Sequence, residues 1–186
     1  MQFSYRVVSA ILLLGSIIGI AFALYLEHVK GLNPCPLCIF QRVGLISMGI
    51  VAFIALIHNP AKAAIRRLYA FVASLGLLWS AGVAARHVWL QNLPPEKVPS
   101  CGPGLDYLIE ALPMKTVFQQ VLSGSGECAE IDWTFLGFSL PVWSLVFFSV
   151  LLVIAIWQLV RTYPYETPSK LTSAPSAKAT TKKKPK

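Results

Sequence analysis

The segment NPCPLCIFQR, residues 33–42, sets two thiols three residues apart, Cys35 and Cys38, with a guanidinium four residues beyond the second, Arg42. Proline is favoured at the first position of a helix, where its missing N–H leaves nothing unsatisfied. With Pro36 there, Cys35 caps the ensuing helix and Cys38 lies in its first turn. The unpaired backbone N–H groups and the helix dipole at that end stabilise a thiolate. Arg42 shares a helix face with Cys38 and adds a positive charge. A thiol stabilised in this way is a good leaving group in disulfide exchange, and its anion can hand electrons to an acceptor. These residues suit thiol–disulfide exchange joined to electron transfer.

Two further cysteines, Cys101 and Cys128, extend the set. Four thiols allow three pairings, which the sequence does not rank. Structural zinc would need all four, yet 62 residues separate Cys38 from Cys101 and 26 separate Cys101 from Cys128, with no second C-x-x-C. No metal site is expected. Inert structural disulfides are the plainer alternative. The setting argues against them, because Cys101 falls in NLPPEKVPSCGPG, where four prolines and two glycines preclude a helix and predict an extended, mobile segment.

Arg86 and His87 end an apolar run at the same level as Arg42. An ionisable side chain near a membrane rim is a functional candidate. For Arg86 the expectation is snorkelling to the interface. His87, with Arg42, is expected to hydrogen-bond a polar headgroup whose apolar tail lies between helices. His28 and His58 read as ordinary interface residues, and the five tryptophans as interface belts and packing.

What positions these groups is a membrane. The chain has 186 residues, 55% of them hydrophobic, and a mean hydropathy of +0.63, too apolar for a soluble domain of this size. Four runs, 7–26, 39–58, 68–90 and 140–160, match the roughly 20 residues that cross about 30 Å of hydrocarbon. The expected fold is an all-α membrane protein, a four-helix transmembrane bundle occupying residues 1–162. Ala21-Phe22-Ala23 resembles a signal-peptidase site, but the first apolar run is long and its basic n-region is Arg6 alone.

With the N-terminus inside, the inner segments hold Arg6, Lys62, Arg66, Arg67, Arg161 and the lysines of the tail, as the positive-inside rule requires. Seven of the eight carboxylates (all but Glu166) and all four cysteines then lie outside, in loops 27–38 and 91–139. An oxidising compartment permits disulfides there. The net charge of +8 arises from this topology and a basic tail, so nucleic-acid binding is not expected. In the second outer loop Leu105, Leu108, Ile109 and Leu112 form one short amphipathic stripe. Pro113 breaks it, and Val117, Phe118, Val121 and Leu122 form another. These short helices are expected either to lie in the interface or to pack against the loop. Residues 163–186 have the composition of a disordered basic cytoplasmic tail.

PCPLCIFQR with its C-x-x-C-x-x-x-R core, His87 in ARHVWLQ, Cys101 in a proline-rich outer loop and SGECAEIDWTFLG around Cys128 together resemble the DsbB family. Those are bacterial inner-membrane proteins that reoxidise the periplasmic thiol oxidase DsbA. The resemblance runs from residue 5 to about residue 160 and leaves out the lysine-rich tail. It implies a thiol:quinone oxidoreductase in the bacterial inner membrane, with both termini cytoplasmic and the cysteines periplasmic. On that resemblance Cys101 and Cys128 form the disulfide that reduced DsbA attacks at Cys101. Cys128 then exchanges with Cys35, and Cys38 becomes the thiolate facing a bound quinone, ubiquinone first and menaquinone as the alternative. Arg42 would stabilise that thiolate and the quinone's developing charge, and His87 would hydrogen-bond the ring. The implied partners are a DsbA-like periplasmic oxidase, the membrane quinone pool and the bilayer. Paralogues with dedicated substrates leave a specialised DsbA-like partner open, and Arg86 matches no assignable family residue. An enzyme similar to vitamin K epoxide reductase would place its C-x-x-C differently. A tetraspanin-like scaffold, the non-enzyme alternative, would carry a Cys-Cys-Gly signature that is missing here.

Overall fold

The computed structural model describes residues 4–99, 105–124, 126–131 and 133–161. Cys101 and the tail from residue 163 lie outside them. Four helices, α1 (Tyr5–His28), α2 (Pro36–His58), α3 (Ala63–Gln91) and α7 (Leu140–Val160), are each long and apolar enough to cross a membrane. The chain is a multi-pass all-α membrane protein, a four-helix bundle as its hydropathy predicts.

The helices run past the apolar segments where their ends are satisfied. α3 begins at Ala63, five residues before its apolar run, and carries Arg66 into the structure. That side chain is buried, donates from Nε to the Pro60 carbonyl at 2.6 Å, and lies 5.0 Å over the Tyr5 ring. α2 ends at Asn59, whose left-handed backbone (φ 36°) lets its N–H close on Ala55 O at 3.1 Å before Pro60 stops the helix.

Lipid offers no hydrophobic drive between helices, so small residues and buried hydrogen bonds hold the bundle. Gly44 of α2 lies against Gly76 and Ser80 of α3, and Gly49 lies against Ser16 of α1. Ser16 Oγ donates to Leu45 O at 3.0 Å, Ser80 Oγ to Gln41 O at 2.9 Å, and Gln158 Nε2 of α7 to Ser9 Oγ at 3.0 Å. Around these bonds Leu12, Met48, Leu77, Phe148 and Leu151 form the core. Ile50, Phe53, Leu78 and Val153 face outward, as lipid-facing side chains should.

Between α3 and α7 come a 3₁₀ turn (Pro95–Lys97) and three short helices, α4 (Leu105–Ala111), α5 (Met114–Ser123) and α6 (Gly126–Ala129). The two amphipathic stripes become α4 and α5, separated at Pro113. Their apolar faces, Leu108, Val117 and Val121, pack on Leu37, Val83 and Leu90 at one end of α2 and α3. Next comes a hairpin that the sequence pattern does not reveal: β1 (Thr134–Phe135) pairs antiparallel with β2 (Phe138–Ser139). Leu136 (φ 51°) and Gly137 (φ 82°) supply the two left-handed residues of a tight hairpin turn.

Candidate functional site

Cys35, Cys38 and His87 meet where α2 begins and α3 ends. Cys35 is the N-cap of α2, in extended backbone (φ −67°, ψ 160°) and with no side-chain cap bond, and Pro36 is the first helical residue. The Cys38 N–H closes on Cys35 O at 3.0 Å, so the chain turns at once and brings the two sulfurs to 3.1 Å. From α3 His87 reaches both: Nε2 lies 3.9 Å from Cys35 Sγ, and Nδ1 lies 4.0 Å from Cys38 Sγ. The ring is buried, and Gln41, also buried, places its Nε2 at 3.4 Å from His87 Nδ1. With the amide donating, Nδ1 accepts and the ring proton sits on Nε2, facing Cys35. Ser80 anchors the Gln41 backbone from below, so α3 holds both the imidazole and the helix turn that supports it.

Arg42 comes one residue later and points toward α1. Its Nη1 pairs with Glu27 Oε2 at 2.5 Å, and Nη2 donates to Ala23 O at 3.4 Å. Helix spacing alone gives Arg42 to Cys38; in the structure Glu27 shares its charge. A cavity of about 430 Å³ starts at Cys35, Cys38, Gln41, Arg42 and His87. It continues between α1 and α7, which meet along a shorter line than their neighbours do. Phe22, Leu45, Phe147 and Phe148 are among its apolar walls. Glu27, Gln91, Glu127 and Glu130 add polar groups to the lining, and the apolar walls can bury hydrocarbon.

Cys128, in α6, is buried in the cluster that joins Leu37 and Leu90 and against which Cys35 packs. Three of the four cysteines thus lie where α2, α3 and α6 meet, and the fourth, Cys101, lies outside the described residues. Arg86 reaches into the second outer loop. Its Nε and Nη2 donate to the carbonyls of Leu122 and Ser123, both at 3.1 Å, and its guanidinium lies 4.0 Å over the Trp89 ring. Gln91 bridges the Glu130 carbonyl, 3.3 Å from its Nε2, and the Ser139 hydroxyl, which donates to Oε1 at 2.6 Å. His28 bonds its own helix at Leu24 O, 3.1 Å away, and His58 pairs with the Tyr69 hydroxyl at 2.7 Å. Among the described residues Cys35, Cys38 and His87 are also the group whose ligand atoms, all within 4.8 Å, could chelate a soft cation. The four-cysteine zinc site weighed from the sequence is a different arrangement.

Sequence pattern alone does not single out Gln41, Glu27 or Gln91. Gln41 leaves a trace, a polar residue inside an apolar run. Glu27 and Gln91 leave none, since their partners come from other helices.

The family profile described as disulfide bond formation protein DsbB matches residues 5–158. The chain is 70% identical to disulfide bond formation protein B of Acinetobacter baylyi over 164 residues, which cover 88% of this chain and 96% of that protein. It is 71% identical to the protein of that name from Acinetobacter baumannii, with the same coverage. To that of Stutzerimonas stutzeri it is 49% identical over 158 residues, covering 85% and 96% of the two chains.

Proposed function

The chain belongs to the family of disulfide bond formation protein DsbB, membrane proteins with disulfide oxidoreductase chemistry, and on that premise we propose a specific reaction for it. The protein reoxidises a periplasmic DsbA-like dithiol partner by disulfide exchange and passes two electrons to a membrane quinone. The same proposal places the protein in the bacterial inner membrane, with the cysteine end periplasmic, both termini cytoplasmic, residues 1–162 as the membrane domain and 163–186 as a basic tail.

One observation carries the reading: the sulfur pair and His87 close the polar end of a largely apolar cavity between α1 and α7. Those residues fit a quinone. The His87 ring, the Gln41 amide and the Arg42 guanidinium offer donors to ring carbonyls, and the apolar walls suit a prenyl tail. Ubiquinone is the first choice, and menaquinone would meet the same donors. Bound there, the quinone supplies the two-electron acceptor.

The remaining work falls to the chain's own residues. The partner's thiolate attacks the Cys101–Cys128 disulfide at Cys101, forming a mixed disulfide and freeing Cys128. The Cys128 thiolate attacks Cys35 of a Cys35–Cys38 disulfide and releases Cys38 as a thiolate in the first turn of α2, where backbone N–H groups and the helix dipole stabilise the anion. The partner's second thiol resolves the mixed disulfide and leaves the partner oxidised; the freed Cys101 re-forms its disulfide with Cys128, and Cys35 and Cys38 remain as the dithiol that gives up two electrons. His87 orients both sulfurs and can hold a proton on Nε2. Arg42, braced by Glu27, keeps a positive charge at the cavity end. The apolar walls lower the local polarity, which strengthens each of these interactions.

The test is loss of quinone absorbance in detergent after reduced DsbA is added to purified protein, beside the Cys38→Ser variant. Turnover by the native protein and none by the variant is the expected result. Retained quinone without turnover would redirect the search to a dedicated partner. Neither quinone nor turnover would refute the enzyme and leave a four-helix scaffold with a stapled outer loop.

A further inference from the structure

The proposed reaction makes no use of Arg86, yet this side chain is tied down on three sides. α5 ends at Ser123, and the last carbonyls of a helix have no partner within it. The Gly124 N–H takes Val121 O at 3.0 Å, and the carbonyls of Leu122 and Ser123 come after it. Arg86 donates to both of them, and its cation sits at the negative end of the helix dipole. Trp89 covers the guanidinium face, so the fork is held in place before it bonds.

The segment immediately after α5 makes this anchor significant. Gly124 turns with φ 86°, and a Cβ there would meet Leu90 Cδ2 at 3.1 Å, so the turn is pressed directly onto α3. α6 then carries Cys128, and two residues later the Glu130 carbonyl takes the Gln91 amide. Arg86 and Leu90 stand at i and i+4 of α3, and His87 and Gln91 form a second i, i+4 pair beside them. The segment from Leu122 to Glu130 is thus fastened at both ends to α3, with Cys128 between the fastenings.

We propose that Arg86 is a positioning residue that fixes the α5–α6 segment so that Cys128 stays within exchange distance of Cys35. The inference rests on the Cys128-to-Cys35 exchange of the proposed function. Fastening a reactive group raises its effective concentration toward its target without any new contact at the reacting atoms.

The test measures that concentration and needs neither quinone nor partner. Full-length protein carrying Cys38→Ser and Cys101→Ser keeps only Cys35 and Cys128. In a glutathione buffer the two thiols and one oxidised glutathione yield one protein disulfide and two reduced glutathiones. Alkylation gel shifts give the equilibrium fraction. Adding Arg86→Ala should lower the effective concentration about tenfold. Arg86→Lys should recover part of the loss, since one ammonium reaches one carbonyl where the fork reached two. Gly124→Ala attacks the same segment from its other side and should give a similar fall, so the test survives if Arg86→Ala does not fold. Values for Arg86→Ala and Gly124→Ala within twofold of the parent would overturn the proposal. Absent quinone turnover by the native protein, with the effective concentration still dependent on Arg86, would instead count against the proposed function alone.

Discussion

Gly44→Ala should destabilise the bundle more than any other single methyl added to these helices, and its cost can be worked from the contacts. A Cβ at Gly44 would lie 2.7 Å from the Gly76 carbonyl oxygen and 2.8 Å from Trp79 Cδ1, and closer still to Ser80 Oγ. Carbon contacts are comfortable at about 3.5–4.0 Å, so α2 and α3 must part by most of an ångström. The neighbours cannot step aside. Gly76 contributes backbone, Ser80 is fully buried and bonded to the Gln41 carbonyl, and the Trp79 indole is held by Phe40 O at 3.2 Å. Overpacking of this kind costs about 1–3 kcal/mol. Losing the Ser80 bond adds about 0.6 kcal/mol on the scale of measured interhelical bonds in lipid. Gly82, on the same α3, is the control: nothing lies within 4 Å of its added methyl. Alanine there should gain about 0.5–1 kcal/mol from helix propensity. Both alanines gain the same helix propensity, so the two variants, each one methyl larger than the parent, should differ by the overpacking and the lost bond alone, about 2.6 kcal/mol or roughly eightyfold in unfolding equilibrium. Dodecyl sulfate titration in mixed micelles, tracked by circular dichroism, measures the difference. If Gly44→Ala unfolds at the same point as Gly82→Ala, helix contact at Gly44 is not what holds α2 to α3 and the reasoning fails.

Gln41→Leu keeps the shape but removes the amide beside His87 Nδ1, and quinone turnover should fall about tenfold with folding intact, a loss of about 1.4 kcal/mol in keeping with one buried hydrogen bond. A fall in Tm would instead show that Gln41 serves the bundle. Gln158→Leu should cost only about 0.6 kcal/mol in the same unfolding titration, because Ser9 keeps its own bond to Tyr5 O at 3.1 Å. A cost above about 2 kcal/mol would mean that the α1–α7 seam depends on this one bond.

Hydropathy makes the four spans legible, because about 20 apolar residues in a row have few other uses. It cannot place the start of α3, since Arg66 is accepted only where Pro60 O and Tyr5 happen to meet it. Pro113 makes the division between α4 and α5 readable. The hairpin, with two residues in each strand, is too short to show alternation. At the site, Cys35, Cys38 and His87 can be grouped by residue type and shared level in the membrane. The pairing of Glu27 with Arg42 cannot, because it depends on how α1 is rotated, and in a membrane helix the lipid face and the core face are both apolar. Arg86 is legible only in part. Its position at a rim points to the interface, but does not name the carbonyls at the end of α5 as its destination.

The break between Cys35 and Cys38 falls at the boundary of α2, and this gives the two sulfurs unlike mechanics. Cys38 is mounted on a rod: moving its sulfur means breaking the first hydrogen bonds of a helix held to its neighbours along its length. Cys35 is mounted on a tether that runs back through Pro34 to Gly31, whose positive φ of 68° and open surroundings leave the backbone room to swing. A sulfur that must be handed from one partner to another belongs on the tether, and a sulfur that must stay aimed at a fixed acceptor belongs on the rod. In the proposed reaction the roles fall that way. The cap and the first turn thus divide the work of the pair between them.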